Sequence, residues 1–158
     1  MTAATLTRAR TAAGELTLTR LIDAPRALVW EVWTDPAHAA HWGPDGYRVE
    51  FLTGTAEVGQ PWRARLVSLD GGNDLMQGGV FREIVVGERV VYSFGWENDD
   101  GKVDEEMLTT VTFADAGDGQ TLLTLHQTGF TSIDERDGHV GGWSQAIERL
   151  ATYAAGLA

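Results

Sequence analysis

The chain has 158 residues, a length typical of one domain and sufficient to bury a hydrophobic core. It contains no cysteine, which excludes disulfides, thiol catalysis and thiolate metal sites and favours a reducing compartment, so we expect a cytoplasmic protein. A formal net charge of −11 argues against nucleic acid or an anionic membrane as a main partner, because both require basic surfaces.

The first residues of the chain differ in composition from the rest. Residues 1–14 lack the apolar segment of a signal peptide, and we predict that they form a disordered tail. Residues 15–158 are predicted to form a single domain. No apolar run in the chain is long enough to span a bilayer, so no membrane partner is expected.

One strand and two short helices are predicted next. Glu15–Ile22 alternates polar and apolar residues, which indicates a strand. Pro25 ends this strand and opens a helix over Arg26–Thr34. Asp35 is a predicted N-cap for a second short helix, residues 36–42, because its side chain can accept from free backbone N–H groups.

The hydrophobic period then changes to two, which is typical of half-buried strands. Glycine-rich and acidic turns separate the alternating segments, and the short connections favour antiparallel neighbours. The predicted strands are Tyr47–Phe51, Trp62–Val67, Val80–Val86, Arg89–Glu97, Met107–Phe113 and Thr121–Gln127.

The last segment, Val140–Leu157, has the apolar spacing of one long amphipathic helix. Such a helix must bury its stripe against another element. The segregated order of strands and helices indicates an α+β fold in which a curved antiparallel sheet of about six to seven strands receives this helix. The apolar stripe consists of Val140, Trp143, Ile147, Leu150, Ala154 and Leu157.

Several short motifs in a fixed order carry a family resemblance. The segments are Ile22-Asp23-Ala24-Pro25, Thr34-Asp35-Pro36, His41-Trp42-Gly43-Pro44, Val58-Gly59, Arg89-Val90-Val91-Tyr92, Thr128-Gly129-Phe130 and Gly142-Trp143. Together they resemble the START-like SRPBCC superfamily, and within it the bacterial type of the activator of heat-shock protein 90 ATPase homologue family. The sequence departs from this pattern at Gln60, where a second glycine is common, and in having a single tryptophan before Gly43.

The resemblance implies a helix-grip fold with an internal cavity between the sheet and the C-terminal helix. Members of the superfamily bind lipids, sterols, polyketides or other hydrophobic molecules, and some catalyse cyclisation or hydrolysis. We therefore expect a binding site for a small hydrophobic or aromatic ligand, lipid or polyketide-like, with plain core packing as the alternative reading of its aromatic residues. The candidate ligand-binding residues are Trp62, Phe81, Tyr92, Phe94, Trp96, His126, Trp143 and Ile147.

No catalytic constellation, phosphate loop or dinucleotide fingerprint is visible, and no cofactor is expected. His126 is one candidate acid or base, although Leu123 and Leu125 have the opposite parity on the strand and would turn His126 outward if they face the core. Glu83 is a second candidate, with pairing to a neighbouring arginine as the structural alternative.

Metal sites are also not expected. His38 and His41 have a helical spacing of three residues but no evident third ligand, so we predict that they face solvent. His139 is predicted in a solvent-facing loop before the long helix. The acidic run of residues 99–106 does not match the spacing of a calcium loop.

Three functions follow as hypotheses. The first is binding of a small hydrophobic molecule, and the second is a cyclase or hydrolase that uses His126 or Glu83 in the same cavity. The third, suggested by the family name alone, is a chaperone ATPase-activating co-chaperone. A homodimer is a further possibility that the sequence does not decide.

Overall fold

In the computed structural model, which describes residues 6–53 and 56–158, eight strands and three helices are assigned. The strands are β1 (Arg8–Ala12), β2 (Glu15–Ile22), β3 (Tyr47–Phe51), β4 (Pro61–Ser68), β5 (Leu75–Val85), β6 (Arg89–Trp96), β7 (Met107–Gly117) and β8 (Gln120–Thr128). The helices are α1 (Arg26–Thr34), a 3₁₀ helix (Pro36–His41) and α2 (Ile133–Leu157).

All strand pairs are antiparallel, and the eight strands form one sheet in the order β1-β2-β8-β7-β6-β5-β4-β3. The predicted α+β architecture, a curved antiparallel sheet with a long C-terminal helix, is confirmed. The period-two segments of the sequence became strands because each presents one apolar face to the helices and one polar face outward.

The N-terminal region departs from the prediction. The disordered tail predicted for residues 1–14 is wrong for residues 8–12, which form edge strand β1 along β2, with Arg8 opposite Thr19 and Ala12 opposite Glu15. All five residues of β1 are exposed, so the strand is held by backbone pairing and not by an apolar face. The remainder of the predicted tail includes residues 1–5, which lie outside the described residues.

The start of the long helix also differs from the prediction. α2 begins at Ile133 instead of Val140, and the hydroxyl of Ser132 caps it by accepting the backbone N–H of Glu135 at 3.0 Å. A helix of 25 residues is about 37 Å long, which is enough to cross the whole sheet. The predicted N-cap of the 3₁₀ helix is confirmed, since Asp35 Oδ1 accepts the N–H of Ala37 at 2.9 Å.

The pairing between β5 and β6 is irregular, with a shift of register between Phe81 and Glu83. A Cβ atom on Gly79 would lie 1.8 Å from the carbonyl oxygen of Ser93, so no other residue fits there. The backbone N–H of Val80 donates to Ser93 Oγ at 2.9 Å, and the indole N–H of Trp62 reaches from β4 to the carbonyl oxygen of Ser93 at 2.9 Å. These contacts satisfy the buried polar groups of the opened ladder and fix the ring of Trp62 on the inner face.

One end of the inner face is filled with side chains. Residues of β2, β7 and β8 pack there with the C-terminal half of α2, and their burial is complete or nearly so. Arg20 on β2 adds an ion pair with Glu148 of the helix at 2.7 Å. The main residues of this filled end are Leu16, Leu18, Ile22, Val111, Phe113, Leu123, Leu125, Ile147, Leu150 and Ala154.

No helix in the described ranges is long and apolar enough to cross a membrane.

Candidate functional site

A cavity of about 280 Å³ lies at the other end of the inner face. Its walls come from β3 to β6, from α1 and the loop that follows the 3₁₀ helix, and from residues 138–146 of α2. Among the described residues, none that lines the cavity belongs to β1, β2, β7 or β8. The cavity therefore occupies one half of the grip between sheet and helix.

Six of the eight predicted ligand-binding residues line this cavity. Their rings form a continuous wall of edge-to-face and tilted contacts, a geometry that aromatic pairs favour. The centroid of Trp62 lies 5.4 Å from that of Tyr92 and 5.7 Å from that of Phe94. Phe94 in turn lies 5.5 Å from Trp96 and 6.0 Å from Trp143, and Phe81 completes the wall at 6.1 Å from Tyr92.

The described lining contains no aspartate, glutamate, lysine or arginine. Tyr92, which is 7% exposed, keeps its phenol proton because burial raises its pKa, an effect only partly opposed by a hydrogen bond from Trp33. The amide of Gln77 is a second uncharged polar group in the wall. Such a surface favours an uncharged ligand, because a buried charge without a partner is strongly destabilising.

A chain of hydrogen bonds holds the edges of two tryptophans at the cavity. The indole N–H of Trp96 donates to Nε2 of His139 at 3.0 Å, so the imidazole carries its proton on Nδ1, which donates to Oε1 of Gln127 at 2.9 Å. Trp143 donates its indole N–H to the same oxygen at 3.0 Å, and the amide nitrogen of Gln127 donates to Thr109 Oγ1 at 2.8 Å. Every polar atom of this network is paired, which orients both rings rigidly.

His139 is neutral in this network. Burial lowers the pKa of His139 to about 4, because the imidazolium form would lose hydration without gaining a carboxylate partner. Protonation of Nε2 would also break the hydrogen bond from Trp96, since both atoms would then be donors. The prediction that His139 faces solvent from a loop is wrong: it lies in the second turn of α2 and lines the cavity.

Two predicted ligand-binding residues lie elsewhere. His126 is on the outer face of β8, where its side chain is 40% exposed and its Nε2 lies 3.7 Å from a carboxylate oxygen of Glu15. The strand alternation explains this position, because Leu123 and Leu125 are fully buried on the inner face. Ile147 is also fully buried, but it packs in the filled end and does not line the cavity.

The predicted enzymatic mechanism is wrong for this geometry. Glu83 is half-exposed and pairs with Arg89, whose Nε donates to its carboxylate at 2.7 Å. Neither Glu83 nor His126 faces the cavity, so neither can act as an acid or base on a molecule bound there.

The surface histidines have more neighbours than the sequence suggested. Nδ1 of His38 lies 2.8 Å from the hydroxyl of Tyr153, and possible ligand atoms of Glu31, Asp35 and His38 lie within 4.8 Å of one another. This cluster does not include His41, the second histidine of the pair considered in the sequence. We assign no metal to this cluster, because both carboxylates are exposed and Asp35 already caps the 3₁₀ helix.

A loop in the wall of the cavity is tied to α2. Gly43, Pro44 and Tyr47 line the cavity, and their carbonyl oxygens accept from Nη1 of Arg149 at 3.2, 3.3 and 3.5 Å. The side-chain oxygen of Gln145 accepts the backbone N–H of Asp45 at 3.0 Å. Arg149 therefore fixes the position of the loop relative to the helix.

Comparison with known proteins agrees with this geometry. The family model of activator of Hsp90 ATPase homolog 1-like protein matches residues 23–155. Protein CV1439 from Chromobacterium violaceum is 28% identical, with a TM-score of 0.80 over 91% of this chain and 99% of that chain. The AHSA1 protein SPO3351 from Silicibacter pomeroyi is 21% identical, with a TM-score of 0.81 over 91% and 99%. Protein Ms6760 from Mycobacterium smegmatis is 17% identical, with a TM-score of 0.78 over 96% of each chain. No curated protein matches the chain.

Proposed function

The chain belongs to the family of activator of Hsp90 ATPase homolog 1-like proteins, and we propose that it binds a small hydrophobic or aromatic molecule in the cavity between β3–β6 and the N-terminal half of α2. The observation that carries this proposal is the cavity of about 280 Å³ with an uncharged, aromatic lining. Close packing is the rule in protein interiors, so an unfilled apolar volume of this size needs an explanation.

The dimensions and chemistry of the cavity support the proposal. Ligand pockets in proteins are mostly apolar, with a few fixed polar groups, and occupy about 300–1,000 Å³, so this cavity lies near the lower limit. The rigid network around His139 and Gln127 supplies the preorganisation that reduces the entropic cost of binding. The strongly negative net charge of the chain, −11, also disfavours anionic ligands.

A titration with a neutral fluorescent probe tests the proposal. The probe is 6-propionyl-2-dimethylaminonaphthalene, whose emission rises in an apolar site. Ala64 lines the cavity from β4, and Ala64→Leu places a larger side chain in the empty volume. We expect the wild type to bind the probe and Ala64→Leu to raise its Kd by at least about tenfold.

The matched control is Ala114→Leu, which adds the same side chain at an exposed position of β7. Its Kd should stay within about twofold of the wild-type value. Equal binding by Ala64→Leu and the wild type would place the probe on the surface and contradict the proposal, as would a wild type that binds neither this probe nor a neutral naphthol.

The family name also implies activation of a chaperone ATPase, and this alternative stays a prediction. It concerns a docking surface and not the cavity, so the two functions are separable. An assay of chaperone ATPase rate with and without the purified chain tests it directly.

A further inference from the structure

Four of the five tryptophans in the described lining of the cavity have indole N–H groups that are already hydrogen-bonded within the protein. The indole N–H groups of Trp42, Trp62, Trp96 and Trp143 all donate to acceptors inside the protein. They are therefore not available to hydrogen-bond a guest. The rings instead provide an extended π-surface, which an aromatic ligand contacts best in a stacked or edge-to-face arrangement.

Along one row of α2, between the side chains of His139 and Trp143 and the rest of the lining, the cavity wall carries almost no side-chain atoms. Gly138, Gly142 and Ala146 follow one another at intervals of four residues, so they form one row along the helix, and all three line the cavity. The row runs from exposed Gly138 to Ala146, which is 2% exposed, over about 12 Å. A ligand can approach the helix backbone closely along this row.

Packing in the empty protein does not require these glycines. A Cβ atom added at Gly138 or Gly142 would meet no atom within 4 Å, in contrast to Gly79, where it would collide with Ser93. Glycine in the middle of a helix is less favourable than alanine. At Gly142, which is half-buried, the space left free is the cavity itself.

We propose that the cavity selects a flat, uncharged aromatic molecule of about two fused rings, which lies between the Gly138–Gly142–Ala146 row and the aromatic wall of the sheet. This proposal rests on the ligand-binding function proposed above. An apolar cavity of roughly 150 Å³ admits benzene, so about 280 Å³ corresponds to about two rings. The neutral hydroxyl of Tyr92 and the amide of Gln77 can accept or donate one hydrogen bond to a polar substituent.

Calorimetric titration with four probes tests the shape and charge of the ligand. 2-Naphthol is flat and neutral, decahydro-2-naphthol has the same skeleton but is thicker, 1-decanol is a flexible chain, and 2-naphthalenesulfonate is flat and charged. We expect 2-naphthol to bind at least about tenfold more tightly than each of the other three. Equal or tighter binding of decahydro-2-naphthol or 1-decanol would overturn the flat-ring assignment, and equal binding of the sulfonate would overturn the requirement for neutrality.

Glycine variants test the place of the ligand. Gly142→Ala should raise Tm by a degree or more, because alanine favours the helix, and yet raise the Kd for 2-naphthol by at least about tenfold. Gly141→Ala is the matched control: this neighbour is exposed, its added Cβ would also meet no atom within 4 Å, and it does not line the cavity. Its Tm should rise similarly, with a Kd within about twofold of the wild type.

The outcomes separate this proposal from the function on which it rests. If both alanine variants weaken 2-naphthol equally, the glycines act by loosening the helix and the contact assignment is wrong. If neither variant changes the Kd, the ligand does not lie against the helix backbone. A wild type that binds none of the probes refutes the binding function, whereas a wild type that binds 1-decanol best refutes only the inference drawn here.

Discussion

The two halves of α2 face two different interiors. Its C-terminal half packs against β2, β7 and β8 in a region where Leu150, Ala154 and Ile147 are fully buried. Its N-terminal half faces β3 to β6 across the cavity, with glycines and two polar-tethered aromatic residues in place of aliphatic side chains. One helix thus contributes both to the packed core and to one wall of the cavity.

This difference shows how the fold reconciles stability with an empty volume. Hydrophobic burial at the filled end supplies most of the favourable free energy, so the hollow end can remain unfilled. In the hollow half, hydrogen bonds through Gln127 and His139 replace aliphatic packing as the means of fixing side chains. The predictions below test whether the two halves are as different as this description requires.

The largest expected effect is a leucine truncation at the filled end. Leu150→Ala should lower the free energy of unfolding by roughly 2–5 kcal/mol, because it opens a new cavity among tightly packed side chains. The matched variant Leu66→Ala lies in the cavity wall, where part of the leucine already faces empty space, so its cost should be near or below the lower limit, about 2 kcal/mol. Urea denaturation measures both, and equal losses would contradict the contrast between the halves.

The opposite change, enlargement of a side chain, is the next in size. Ala154→Leu must overpack the filled end and should cost about 1–3 kcal/mol, since Ala154 is completely buried. Ala64→Leu adds the same atoms at the cavity, where space is available, and should be close to neutral or slightly stabilising. A strongly destabilised Ala64→Leu would show that the cavity is smaller in solution than in this structure.

The third prediction concerns pH and the hollow half. The pKa of His139 is lowered to about 4 in the folded chain, below the ordinary histidine value of 6.5, so the unfolded chain binds more protons between these limits. The stability from this group is fully present above pH 6.5 and is lost as the pH falls towards 4, by on the order of 1–2 kcal/mol after allowance for partial solvent access.

The control for this pH effect is His139→Gln, which does not titrate and can hydrogen-bond to both neighbours. The difference in unfolding free energy between wild type and variant should shrink as the pH falls from 7 towards 4. Titration of the carboxylates changes the stability of both proteins equally and therefore cancels in this difference. A difference that is independent of pH would mean that His139 is not held neutral in the fold.

The sequence predicted the order of the secondary-structure elements well, but it did not predict strand β1 or the first turns of α2. Alternation in segments such as Glu15–Ile22 and Tyr47–Phe51 matched the strands exactly because burial on one face imposes it. β1 was missed because a strand held only by backbone pairing carries no apolar pattern. The first turns of α2 were missed because residues 133–139 are mostly polar and contain Gly138, a composition that resembles a loop, although Ser132 and Glu135 have the spacing of a helix-capping box.

The site was predictable where it depends on residue type and not where it depends on pairing across the fold. The aromatic strand residues proposed for the site do line the cavity, and parity on β8 already argued for the outward position of His126. The partnership of Gln127 with His139 and Trp143 joins a strand to a helix, and nothing in either segment alone indicates it. The volume left empty between the rings depends on how the sheet and the helices are placed in space, which residue spacing does not reveal.

The smallest expected effect compares two neighbouring polar residues of α2. Glu148 binds Arg20 at the filled end, whereas Arg149 holds the carbonyl oxygens of the loop in the cavity wall. Glu148→Gln and Arg149→Gln should each lower the free energy of unfolding by about 1 kcal/mol, because each removes one partly exposed charged contact. Their stabilities should therefore not distinguish them, but ligand exchange should.

In Arg149→Gln, the loop that contains Gly43, Pro44 and Tyr47 loses its tether to the helix, so it opens more often and releases a bound molecule faster. Stopped-flow dissociation of 6-propionyl-2-dimethylaminonaphthalene should accelerate by about threefold or more in this variant and stay within about twofold of the wild type in Glu148→Gln. Affinity changes among mutants of one site arise mostly in the dissociation rate, so this measurement is the sensitive one. Identical dissociation rates in both variants would mean that the loop does not control release of the ligand. The ligand would then leave the cavity past the glycine-containing turns of α2.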